Sequence, residues 1–173
     1  MSYTDTQVRI AATAGLALAG LLVYYNSFGG VWIFDDYSYV IDNPFVRELW
    51  VFGTGYPHPY RPVLEWTYSF NYALGELDIT GYHTLNLCIH ILATLVLFAI
   101  VRRTLFDLSK NRYVISATPL AFTIALLWMV HPLQTESVTY ISQRSESLMS
   151  LLMLVSLYGI IRSARTEQPF RRH

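Results

Sequence analysis

The feature that most constrains this chain is the gathering of its apolar residues into four runs. They cover roughly residues 8–25, 85–101, 115–130 and 148–161, and the later three end at Arg102-Arg103, His131-Pro132 and Arg162. A helix needs about 20 apolar residues to cross a hydrocarbon core about 30 Å thick. The first three runs approach that length. The fourth is short, so it is expected to recruit part of the preceding polar segment or to sit where the membrane thins. Only 14% of the residues are charged and 53% are hydrophobic, against about 25% charged in soluble domains. The fold class predicted is an all-α membrane protein, a single domain over residues 1–173 with about four transmembrane helices.

Charge sets the orientation. Arg9, Arg102, Arg103, Lys110, Arg112, Arg162, Arg165, Arg171 and Arg172 fall on one side of such a bundle. By the positive-inside rule that side is cytoplasmic, with both termini in it. Asp35, Asp36, Asp42, Glu48, Glu65, Glu76, Asp78, Glu136 and Glu146 fall on the other side. Arg9 alone precedes the first run's apolar body, and no small-residue cleavage site follows Tyr24-Tyr25, so an uncleaved anchor is expected. The net charge is zero, which gives no basic surface for nucleic acid. The single cysteine, Cys88, excludes an internal disulfide and a Cys-rich metal site. Inside an apolar run it is expected to be buried and inert.

Two outer connections remain, residues 26–84 and 131–147, with a polar cytoplasmic tail at 162–173. In the long connection Pro62 can open a helix at its first turn. Val63, Trp66, Phe70, Ala73, Leu74 and Leu77 follow at helical spacing, so an amphipathic interfacial helix with its apolar face toward the membrane is predicted.

Three polar groups face this outer compartment. Asp35 and Asp36, with Asp42, follow the first run directly, where carboxylates are costly unless solvated, paired or used. Arg61 precedes Pro62, and His83, Asn86 and His90 share one helix face. His131, Glu136, Arg144 and Glu146 fill the second connection. Each has a plain structural reading: Asp35 and Asp36 as a solvated loop, the histidines as interhelical hydrogen-bonding groups, Arg61 as an interfacial anchor. Convergence on one side is what favours function. A carboxylate can take the proton of a hydroxyl nucleophile, and Arg61, Arg144 and His131 are suited to a departing phosphate. Glu136 would orient one of those cations or bind sugar hydroxyls. No metal-ligand spacing stands out, so metal independence is expected. A bis-histidine haem site built from His83, His90 or His131 is disfavoured, because haem ligands must face each other at matched depth.

These residues also carry a family resemblance. Phe34-Asp35-Asp36 through Asn43-Pro44, Arg61-Pro62-Val63, Gly81-Tyr82-His83 with Asn86-Leu87 and His90, and His131-Pro132-Leu133-Gln134-Thr135-Glu136 through Arg144-Ser145-Glu146 resemble the membrane part of GT-C glycosyltransferases. The group is that of protein O-mannosyltransferase-like proteins with transmembrane and tetratricopeptide-repeat regions. The resemblance implies transfer of a sugar from a polyprenyl-phosphate donor, with no separate cofactor, to a protein or glycan hydroxyl on the extracytoplasmic side. It places the general base at Asp35 or Asp36, and donor-phosphate or substrate binding at Arg61, His83, His131, Glu136, Arg144 and Glu146. That family's module has more helices and often continues into repeats. The chain is therefore expected to be part of a longer enzyme, a short homologue, or a subunit completed by another membrane protein. A non-catalytic accessory role is the alternative. A bacterial inner membrane is favoured as its location, with the endoplasmic reticulum as the other setting.

Overall fold

The computed structural model describes residues 3–49, 61–108 and 114–166. Lys110, Arg112, Arg171 and Arg172 lie outside the described residues, as do residues 50–60 of the long outer connection and 167–173 of the tail. Six α-helices are described: α1 (Tyr3–Val23), α2 (Pro62–Gly75), α3 (Ile79–Leu108), α4 (Val114–Met129), α5 (Thr135–Thr139) and α6 (Arg144–Thr166). No strand occurs among the described residues. Segments Asp5–Gly29, Ile79–Asp107 and Ile141–Ala164 are long and apolar enough to cross a membrane. The pair Ala117–Met129 and Pro132–Thr139, bent by 55°, makes a fourth candidate. The chain is an all-α membrane protein.

Toward the end where α1 begins, α1, α3 and α4 pack around Leu16, Phe98, Ala121 and Ala125. The two alanines, one turn apart on α4, let the backbones approach closely, as membrane helix pairs require. Arg102 closes this end. It donates to Asp5 Oδ1 at 2.8 Å and to Thr118 Oγ1 at 2.8 Å, so one guanidinium ties α3 to α1 and α4.

At the other end a second core joins Val40, Val46, Leu64, Tyr68, Tyr82 and Ile141. Helix α2 enters it with Leu64, Tyr68, Ser69 and Asn71 buried, while Val63 and Leu74 stay exposed. The helix thus packs its more polar face inward and leaves the apolar stripe facing out, as expected of a helix lying against a membrane.

The bend after α4 has a local cause. In a continuing helix the Leu133 N–H would bond to Met129. Here it donates instead to His131 Nδ1 at 3.2 Å, and Pro132 has no N–H to offer. The Met129 carbonyl is satisfied from elsewhere, by Tyr24 Oη at 2.9 Å and His90 Nε2 at 3.0 Å. Since a carbonyl only accepts, His90 carries a proton on Nε2.

Cys88 departs from expectation. It lies exposed with Thr84 and Leu92 on the outward stripe of α3, while His83, Asn86, Leu87, His90 and Thr94 form the inward one. An apolar run alone does not say which of its faces is covered.

Candidate functional site

The connection after α1 reaches the segment between α4 and α6 through two adjacent aspartates. Asp36 is buried and gives both oxygens to backbone amides: Oδ1 accepts from Ser142 N–H at 2.8 Å, Oδ2 from Ile33 N–H at 3.1 Å. The carboxylate thus staples residues 31–42 onto the segment between α5 and α6. Burial pushes its pKa above the ordinary carboxylate value, opposed by those two backbone bonds and by the charge of His83.

Asp35 is exposed. Its backbone N–H donates to Tyr140 Oη at 3.0 Å, and its carboxylate has no partner among the described residues. Phe34, just before it, has φ of 40°, a left-handed conformation that a bulky residue adopts at a cost of about 1–3 kcal/mol. Its ring is 84% exposed, so packing of that ring does not explain the conformation. The dipeptide is thereby split, with one carboxylate locked inside and one turned out.

Behind this turn lies a buried cation. Arg144 is 0% exposed. Its Nε donates to Asn86 Oδ1 at 2.6 Å, one terminal nitrogen to Thr67 Oγ1 at 3.1 Å and the other to Tyr82 O at 3.1 Å. The guanidinium also lies over the ring of Tyr68, 4.7 Å from its centroid, where the π face attracts a cation. Arg144 therefore ties α6 to α2 and α3. Tyr68 Oη, its pKa raised by burial, shares its proton between the carbonyls of Ile141 and Ser142, both at 3.3 Å. Asn86 donates onward to the carbonyls of Val138 and Tyr140 at 3.4 Å each.

His83 is buried beside this cluster, within the electrostatic reach of Asp36 and Arg144. Both ring nitrogens lack a partner among the described residues. A Cβ on Gly30 would stand 2.7 Å from His83 Nε2, so only glycine lets the first connection pass over this ring.

The remaining candidates sit on the outside. Arg61 is exposed at the start of α2. His131 is exposed, with Nδ1 engaged by Leu133, and Glu136 lies exposed in the first turn of α5. Glu146 is exposed in the first turn of α6. Arg61 and Glu146 line a common groove of about 540 Å3 between α2 and α6, walled by Val63, Leu64, Leu148, Met149, Leu152 and Met153. The structure thus brings Asp35 and Asp36 against residues 140–142 and draws Asp36, His83 and Arg144 into one buried cluster. Arg144, expected to face a phosphate, has its donors turned to protein acceptors instead. Among the described residues no three His, Cys, Asp or Glu side chains converge as a metal site.

Sequence reasoning missed Tyr140, Thr67 and the joining role of Asn86. One signal was available for Arg144. A cation at the first position of a helix opposes the macrodipole, which indicates that other groups hold it there.

No family model and no solved structure matches the chain. Three relatives are informative. The protein O-mannosyl-transferase F38B6.6 of Caenorhabditis elegans is 31% identical over 79% of the chain. The human protein O-mannosyl-transferase TMTC1 is 34% identical over 88%, and the Drosophila melanogaster protein O-mannosyl-transferase Tmtc3 is 29% identical over 86%. The chain spans only 21%, 18% and 19% of these proteins respectively. It is a homologue, along most of its own length, of the TMTC protein O-mannosyl-transferases.

Proposed function

We propose that this chain carries the acceptor-activating part of an O-mannosyltransferase that works at the extracytoplasmic membrane surface, with Asp35 as general base. The observation that carries the reading is the division of labour between the aspartates. Asp36 is consumed as a backbone acceptor, and Asp35 is held outward beside Tyr140.

In this reading the acceptor hydroxyl oxygen attacks the anomeric carbon of a polyprenyl-phosphate-linked mannose. The hydroxyl proton passes to the Asp35 carboxylate, and the bond from sugar to phosphate breaks with its electron pair leaving on the phosphate. Arg61 and His131, both exposed, are the groups assigned to that developing charge. Glu136 and Glu146 are the exposed acceptors for sugar hydroxyls. The groove beside Arg61 offers an apolar bed for the donor's lipid chain. Arg144 and His83 serve from behind, Arg144 as the tie that keeps both outer connections together. Both termini are cytoplasmic in this arrangement, and further membrane helices or a partner subunit complete the donor site.

The test is transfer of mannose from a polyprenyl-phosphate donor to a serine- or threonine-containing peptide by the purified protein in lipid vesicles, assembled with the further helices or partner subunit that complete the donor site; no transfer by that assembly overturns the reading. Asp35→Asn is expected to lower turnover by about 10²- to 10⁴-fold, the usual worth of a positioned base, with unchanged thermal stability because the side chain is exposed. Wild-type turnover in Asp35→Asn overturns the assignment.

A further inference from the structure

We infer that Tyr140 is a positioning residue that aims Asp35; the inference rests on Asp35 being the base. A catalytic carboxylate on an exposed turn is useful only if its direction is fixed, since a displacement of about 1 Å can remove 10²-fold in rate. Three consecutive residues here are fixed by three different devices. Phe34 is held at φ of 40°, the Asp35 N–H is held by Tyr140 Oη, and the Asp36 carboxylate is held by two amides. The first and last orient the backbone on either side of Asp35. Of these three, the Tyr140 bond is the one made to Asp35 itself.

Tyr140 is suited to this because it is itself anchored. Its N–H donates to Glu136 O at 3.0 Å, and its carbonyl accepts from Asn86 Nδ2. Asn86 Oδ1 in turn is held by Arg144 Nε at 2.6 Å. A continuous path of hydrogen bonds therefore runs from the buried guanidinium through Asn86 and Tyr140 to the outward aspartate. Because Tyr140 Oη accepts from Asp35, its own proton is left free for a second partner.

The experiment is a double-mutant cycle of Tyr140→Phe and Asp35→Asn in the same complete assembly in vesicles, with kcat and KM measured for a mannosyl donor and a peptide acceptor. Tyr140→Phe keeps the ring and deletes the acceptor oxygen. It is expected to lower kcat by about 10- to 100-fold, leave both KM values within about twofold, and shift Tm by no more than about 4 °C. In the Asp35→Asn background the same change is expected to have no further effect on the residual rate, because Tyr140 acts only through Asp35. Wild-type kcat in Tyr140→Phe, a loss confined to KM, or losses that multiply in the double variant each overturn the inference while the base assignment stands. An Asp35→Asn variant as active as wild type instead removes the base assignment, and the inference with it. Phe34→Gly relaxes the left-handed backbone and keeps the hydrogen bonds. It is expected to lower kcat without loss of stability, and full kcat there overturns the role given to the constrained turn.

Discussion

A carboxylate that gives both oxygens to backbone amides is well matched as an acceptor yet penalised as a buried charge, and Asp36 is held in that balance. Its raised pKa has a definite consequence for stability. The folded state binds the proton more tightly than the unfolded chain, so this group's contribution is fully present below the ordinary aspartate value of about 3.9. It is lost as pH rises through the elevated folded value. Asp36→Asn cannot titrate, so the stability advantage of wild type over this variant is expected to be largest at low pH and to shrink as pH rises. Denaturant unfolding of both proteins across that window measures it, and an advantage that grows with pH contradicts the burial argument.

Between elements, the Arg144 guanidinium links α6 to α2 and α3. Hydrogen bonds to a charged group contribute about 1.5–3 kcal/mol each, and a lysine ammonium cannot reproduce the planar fork that meets three acceptors. Arg144→Lys is therefore expected to lose about 3 kcal/mol or more, seen as a lowered unfolding midpoint; a loss below about 1 kcal/mol would mean the cage does not organise this end. The end of α4 offers a second case. Met129 O has two donors, Tyr24 and His90, so Tyr24→Phe or His90→Phe alone leaves one in place. Each is expected to cost about 1 kcal/mol, and the pair together more than the sum, because only the double variant leaves the carbonyl bare. These ties mark the limit of what the sequence discloses. Apolar runs and Pro62 announce the helices because periodicity and turn chemistry are local. The pairing of Arg144 with Asn86, or of Tyr140 with Asp35, joins residues 58 and 105 positions apart, and no local pattern encodes it. Arg144 and Glu146 look alike within one polar run, yet one is enclosed and the other exposed, which packing alone decides.

For the molecule as a whole, the number of crossings decides which compartment the site occupies. Three of the candidate spans are single segments, and the fourth is the pair bent by 55° after Met129. If that pair crosses, the chain crosses four times and both ends share a side. If it folds back as a re-entrant loop, the chain crosses three times and the end of α6 lies opposite the start of α1. The basic residues argue for four: Arg9, Arg102, Arg103 and Arg162 then fall in one compartment, whereas three crossings would separate Arg162 from the rest. The clasp of Asp5, Arg102 and Thr118 agrees, since it gathers the start of α1, the far part of α3 and the start of α4 at one end. With Cys88 replaced by serine, a single cysteine can report each side. Ser38→Cys, exposed in the short π-helical segment Tyr37–Ile41 after Asp36, is expected to react with a membrane-impermeant thiol reagent in intact bacterial cells that express the protein. Ser163→Cys, exposed near the end of α6, is expected to react only after permeabilisation. Labelling of both in intact cells would mean that α4 and α5 do not cross, and the charge argument for orientation would fail with it.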